Sequence, residues 1–337
     1  MKRKRYDMPV SLTRPIAPRR YLVAAIALIF LGLMPPAPCR SAGVDMGDSL
    51  LRDYPVALTL PKHRLEVSLD YLFLDEGFGV FDGDDDPSGA DSSDAGLSLD
   101  LESMSGFRTV INYGLTPKTT VMCGARLEQF DYGDFDIDLK RFDISIKRNI
   151  TNRMYGKWPF LAVDAGLRLH SGDISQGRFD QMDDLTPFLR LTAGRIYGRF
   201  FPNIFVEYGH PTIDATLDPE PGPDAPSEDL DLGRSEDYLR SGFCLLWKRP
   251  YILMARFEYN YLRMFRDDGL TQYEDNHIIR TDLNIFPAER VVLTFGSRYS
   301  HRQLNGLVPL LYNEYTQEDF DTGYLRFHAG VTILFGG

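Results

Sequence analysis

The chain has 337 residues, a formal net charge of −11 and three cysteines, at positions 39, 123 and 244. The acidic balance argues against nucleic-acid binding, which needs a basic footprint, and three such cysteines make neither a disulfide framework nor a zinc spacing. The overall hydrophobicity of a soluble protein is shared by transmembrane barrels, because only every second residue of a barrel strand meets lipid.

Residues 1–41 read as an export signal. Lys2, Arg3, Lys4, Arg5, Arg19 and Arg20 precede an apolar run from Tyr21 to Met34, and small residues follow at Cys39, Ser41 and Ala42. The run is short of the roughly 20 residues a membrane helix needs, so an uncleaved anchor is the weaker alternative. Lipidation at Cys39 is disfavoured by Pro38 before it. Nowhere else is an apolar run long enough to be a membrane helix. Residues 42–62 show no clear period and read as an N-terminal periplasmic segment, ahead of a barrel over 63–337.

From His63 the period is two. Leu65, Val67, Leu69, Tyr71 and Phe73 alternate with Glu66, Ser68, Asp70 and Leu72. The pattern returns at Leu161, Val163, Ala165, Leu167 and Leu169, and again at Leu253, Ala255, Phe257, Tyr259 and Tyr261. Such alternation is the mark of a strand with two unlike faces, and here it often reaches the length that crosses a bilayer at a tilt. It predicts strands near 63–74, 103–115, 119–131, 138–149, 158–170 and 185–197. Six more fall near 201–210, 236–248, 251–263, 277–286, 290–302 and 323–335. Their connections alternate in length: short at 116–118, 149–157, 199–202, 249–250 and 287–289, long at 75–102, 171–184, 211–235, 264–276 and 303–322, with 132–137 a modest exception. The loops at 75–102 and 211–235 are rich in Asp, whereas the short turns carry Lys118, Arg148, Arg153, Lys157, Arg195, Arg199, Lys248, Arg249 and Arg290. The expected fold is all-β: a transmembrane antiparallel barrel of about twelve strands, with short periplasmic turns and long acidic extracellular loops.

The polar face decides which side meets lipid. Read in one sense, the strands collect Arg108, Arg126, Arg141, Lys147, Arg168, Arg190, Arg240, Arg256, Arg280, Arg298 and Arg326, with Glu66, Asp70, Glu128, Asp143, Asp164, Glu207, Glu258 and Asp282. A basic residue at the bilayer midplane costs about 2–4 kcal/mol, so this face belongs to the barrel lumen. Aromatic residues gather at both strand ends, Tyr113, Trp158, Trp247 and Tyr251 by the short turns and Phe130, Tyr208, Tyr261, Tyr299 and Tyr324 by the long loops. Two interfacial girdles are expected from them. Cys123 falls on the lipid face and Cys244 on the lumen face, so no disulfide joins them.

The segment His328-Ala-Gly330-Val-Thr-Ile333-Leu-Phe335 resembles the C-terminal assembly signal of Gram-negative outer-membrane β-barrel (porin-like) proteins, and Tyr113-Gly114-Leu115-Thr116-Pro117 is similar to their strand-to-turn phrases. The resemblance implies the cell outer membrane as location. It also implies the outer-membrane assembly machinery, which reads His328, Gly330, Ile333 and Phe335, and outer-membrane lipid and lipopolysaccharide as partners. Ser300-His301-Arg302-Gln303-Leu304-Asn305-Gly306 resembles a segment of outer-membrane phospholipase A. Gln303, however, stands where the nucleophilic serine belongs, and Ser300 is on the opposite face from His301. Asp82, Asp84 and Asp86 copy the start of a calcium loop, but Pro87 replaces the required glycine. His170 and His328 face the lumen from different strands. Neither cofactor nor bound metal is expected, and no catalytic residue.

The functional expectation is therefore a non-enzymatic barrel with an arginine-rich lumen, either a narrow porin-like channel or a structural envelope protein. Its partners would include a small solute or an envelope-export component. The alternative is an outer-membrane enzyme acting on lipid or lipopolysaccharide, which a well-placed Ser-His pair would have supported.

Overall fold

The structure, a computed structural model, describes residues 50–75, 103–131, 136–151, 159–175, 179–217, 230–235, 237–249, 252–265, 275–300 and 324–336. Its strands are β1 (Leu65–Asp75), β2 (Ser103–Thr116), β3 (Thr119–Asp131), β4 (Asp136–Asn149), β5 (Phe160–Ser175), β6 (Phe179–Gly194) and β7 (Phe200–Gly209). They continue as β8 (Thr212–Leu217), β9 (Leu230–Ser235), β10 (Asp237–Arg249), β11 (Leu253–Phe265), β12 (Asp275–Ala288), β13 (Val291–Ser300) and β14 (Tyr324–Phe335). Among the described residues there is no helix.

All neighbours pair antiparallel, and twelve of the strands close into a ring. β1 pairs with β14 from Leu65↔Phe335 to Phe73↔Phe327, joining first strand to last. The chain passes from β7 to β8 at His210-Pro211 without leaving the wall. β6 exchanges one partner for the other there, and the His210 N–H donates to the Pro187 carbonyl across 3.1 Å. Proline has no N–H for a ladder, which accounts for the break. β8 and β9 pair as an extension of the wall at the long-loop end.

That extension departs from the expected loop boundaries. Residues 171–184 were expected to form a long loop, yet β5 continues to Ser175 and β6 begins at Phe179, with Asp173 opposite Gln181. The expected loop 211–235 contributes β8 and β9 in the same way. Beyond the apolar band both faces of a strand meet water, so the alternation that marks a strand in sequence disappears while the backbone ladder continues. The acidic residues of 76–100, the Asp82–Asp86 motif, His301, Gln303 and the loop 303–322 lie outside the described residues.

Outward-facing positions are apolar and exposed over the whole ring, among them Leu69, Phe107, Leu127, Ile144, Leu167, Leu191, Ile204, Phe243, Phe257 and Phe295. The alternate positions face inward. Tyr113 and Tyr208 are exposed at opposite ends of the wall. Phe130, expected in the outer aromatic girdle, is instead wholly buried. It shares parity with Arg126 and Glu128, and in a strand parity outranks nearness to the strand end.

The buried apolar core is not between two sheets but inside the ring, towards the short turns. Leu50, Leu51, Tyr54, Val56, Ala57, Leu58 and Leu60 pack there against Phe160, Phe201, Cys244, Leu246, Met254, Val292 and Leu334. The described part of the segment that the sequence placed in the periplasm, 50–62, thus makes its contacts with inward-facing side chains. It then turns into β1 at His63, whose φ of 64° is left-handed and whose N–H donates to the Gly114 carbonyl across 2.7 Å. Gly114 allows this approach: a Cβ there would lie 1.9 Å from the Pro61 carbonyl oxygen.

Candidate functional site inside the barrel

An irregular segment buried in a barrel must find partners for its backbone groups. Here the wall supplies them as side chains. Glu66 accepts from the N–H groups of Leu51, at 3.0 Å, and Arg52. Asn203 accepts from Ala57 N at 3.0 Å and Thr120 from Leu60 N at 2.8 Å. In the other direction Asn112 donates to the Arg52 carbonyl at 2.9 Å, Asn149 to that of Ala57 at 3.1 Å, and the Lys147 ammonium to that of Tyr54 at 3.3 Å. The segment is a plug bonded into the wall at seven or more points around the ring.

Two charged plug residues continue into the network above. Arg52 is fully buried; its guanidinium donates to both oxygens of Asp70 and to Thr294. Arg108 grips the same Asp70 at 2.6 Å. Asp53 is held by Arg108 at 2.9 Å and by Arg280 at 2.8 Å. The Arg256 guanidinium lies 3.9 Å from the centre of the Tyr54 ring and pairs with Asp282 at 2.7 Å and Glu258 at 3.0 Å. His328 Nε2 stands 3.0 Å from Asp282.

A second cluster centres on Glu207, which accepts from Arg168 at 2.7 Å and Arg190 at 2.5 Å, with Arg240 at 3.9 Å. The Tyr238 hydroxyl donates to it at 2.8 Å. Arg190 also reaches Asp164 at 3.5 Å, and Arg141 pairs with Asp143 at 2.8 Å. His170 Nδ1 lies 2.8 Å from Asp184. In a third cluster Glu128 joins Arg326 and, at 3.6 Å, Arg126.

Of the charged residues expected on this face, Arg108, Arg126, Arg168, Arg190, Arg256, Arg280 and Arg326 are buried, as are Glu128, Asp164, Glu207, Glu258 and Asp282. Arg141, Arg240 and Arg298 are half-buried. In the assembly-signal segment His328 and Gly330 point inward, Ile333 lies opposite Val67 and Val291, and Phe335 is exposed beside Leu65. Cys123 is half-buried and Cys244 fully buried, and both are unpaired. Ser300 is buried. Among the described residues no group of three or more His, Cys, Asp or Glu is arranged to hold a metal ion.

Above the plug a cavity of about 140 Å³ remains. Eight arginines line it, at 108, 126, 141, 168, 190, 240, 280 and 298, against four acids, Asp53, Asp143, Asp164 and Glu258. Sequence reasoning missed Arg52, Asp53, Tyr54 and the plug as a whole. The signal available was the density of apolar residues in 50–60, together with asparagines and threonines at inward positions near the short turns.

A closed antiparallel ring of twelve strands with an apolar outer surface and a polar interior is a transmembrane β-barrel. No family model matches the chain, and no curated protein matches it. Among solved structures the translocator domain of the autotransporter NalP from Neisseria meningitidis is similar over 94% of this chain and 96% of its own, with 9% identity and a TM-score of 0.49. The β domain of the Bordetella autotransporter BrkA matches over 82% of this chain and 100% of its own, at 11% identity and a TM-score of 0.47. For the porin NanC the shares are 80% and 98%, the identity 9% and the TM-score 0.44.

Proposed function

We propose that this chain is an outer-membrane, porin-like barrel that favours small anions and is closed on its short-turn side by residues 50–62. The observation that carries the reading is the two-to-one excess of arginines over acids around the interior cavity, since basic linings favour anions. The outer-membrane location is supported by the apolar exterior and by the likeness of His328 to Phe335 to an assembly signal. The arginine-rich wall and the plug act in series, one selecting charge and the other limiting flow. The acids of the network do not cancel the preference, because most are already shared between two or three guanidinium groups, as Glu207 is.

Reversal-potential measurement in planar bilayers under a salt gradient tests this. Chloride should carry the larger share of the current, and opening events should be rare in the native chain. Molar salt screens distant charges to about 3 Å, so the acidic outer loops will not mask the sign set inside. A potassium-preferring pore under those conditions overturns the reading.

A further inference from the structure

Asp53 stands at the inner tip of the plug and also lines the arginine cavity, with about a third of its side chain exposed. Its carboxylate bridges Arg108 of β2 and Arg280 of β12, at 2.9 and 2.8 Å. Nothing in the wall occupies that place; the bridging anion is brought in by the plug.

The rest of the cavity carries more guanidinium than carboxylate groups, although Asp164 Oδ1 and Glu258 Oε2 in its lining are themselves buried without a hydrogen bond. Arg108, Arg126 and Arg141 occupy directly paired positions on β2, β3 and β4, and Arg280 is paired with Arg298. Like charges placed opposite one another in a sheet repel, so these rows need anions between them, and Asp70, Glu128, Asp143 and Asp282 supply part of that need. Arg126 Nη1, 3.6 Å from Glu128 Oε2, and Arg280 Nη2 are buried with no acceptor at hydrogen-bond distance, on side chains about nine-tenths buried. Arg240 Nε is in the same condition. Buried donors left without acceptors are costly, and here they gather around a space of about 140 Å³. A cavity of about 150 Å³ holds a molecule the size of benzene.

We infer that this cavity is a binding site for a small anion bearing its charge on oxygen, a carboxylate or phosphate of a few heavy atoms, and that Asp53 is a built-in surrogate for one of its carboxylate groups. The inference rests on the reading of the interior as anion-preferring and adds to it a defined site with an internal competitor. A solute that takes Arg108 and Arg280 from Asp53 loosens the tip of the plug, so that binding and opening favour one another.

Calorimetric titration of the purified full-length protein in detergent with inorganic phosphate, at constant ionic strength, tests the site. Asp53→Asn keeps the shape of the surrogate and removes its charge; phosphate should then bind about tenfold more tightly, the equivalent of one charge-assisted hydrogen bond gained. Arg126→Gln, away from the plug, should weaken binding about tenfold by the same reckoning. Retained heat-modifiable mobility in electrophoresis verifies that each variant is a folded barrel. Phosphate affinity unchanged or weakened by Asp53→Asn overturns the surrogate, and affinity indifferent to Arg126→Gln overturns the site. Bilayer selectivity judges the channel reading separately: anion preference with an affinity indifferent to both substitutions leaves the channel and removes the site.

Discussion

Replacing Arg52 by Met should release the plug. Arg52 is the one plug side chain that forms a fully buried ion pair, with Asp70, and it also donates to Thr294. Breaking a buried pair by removing one partner costs about 3–5 kcal/mol. The lower end applies here, because Asp70 keeps Arg108 at 2.6 Å and Thr294 keeps its bond of 2.8 Å to Asn284. Methionine fills much of the vacated volume without a charge. A loss of about 3 kcal/mol raises the undocked population on the order of a hundredfold. The chain contains its own reporter. Cys244 points inward and is buried in the same cluster as Leu51, Tyr54 and Val56. With Cys39 and Cys123 changed to Ser, a water-soluble maleimide reacts only with Cys244, at a rate proportional to the open population when opening and closing are fast. Arg52→Met should therefore speed labelling by about two orders of magnitude while the barrel stays heat-modifiable. Equal labelling rates in the two proteins would refute the claim that this ion pair holds the plug in place.

Three further outcomes follow from the wall. A Cβ at Gly330 would lie 1.9 Å from Asp70 Oδ1 and 2.6 Å from the Leu69 carbonyl oxygen, so Gly330→Ala should lower stability by about 1–3 kcal/mol, measured as a lower midpoint of heat modification. Ile144→Arg puts a charge on the outer surface between Cys123 and Leu167; at midplane it costs about 2–4 kcal/mol, and the yield of folded barrel in membranes should drop sharply. Phe335→Ala should reduce assembled yield in cells while leaving the melting of the assembled fraction within about 1 kcal/mol of wild type, as expected of an exposed side chain.

What could be read from the sequence was set by where the two faces of a strand meet different surroundings. In β5, Leu161 to Leu169 alternate lipid-facing leucines with Asp164, Gly166 and Arg168, and the strand is plain. Its continuation through Ser171 to Ser175 holds one apolar residue, Ile174, and no alternation, and only the ladder to β6 reveals it. Parity alone assigned Arg168 and Glu207 to one face. Their 2.7 Å contact needed the register, since β6 stands between their strands. The plug was hidden for a different reason. Its backbone bonds go to the side chains of Glu66, Asn203 and Thr120, and such partners leave no period in the chain. Asp53, the residue that joins plug to cavity, lies in that same stretch without a period.

Charge and plug divide the interior between them, and the division follows from size. A barrel of eight strands is filled by its own side chains, whereas a wider one leaves space; twelve strands therefore need something else inside. Towards the short turns the plug fills that space, and most inward residues there are apolar, as Phe201, Leu246 and Val292 are, or neutral and polar, as Asn112, Thr120 and Asn203 are, with Glu66 and Lys147 bonded to the plug backbone. Beyond Asp53 the plug no longer fills the ring, and the inward residues become arginines and acids around the remaining cavity. Charges gathered around unfilled space are poorly explained as packing alone, because buried ion pairs are weak stabilisers. Under the proposed channel function they meet what enters from the long-loop side, and the two-to-one excess of arginines around the cavity would favour an anion there.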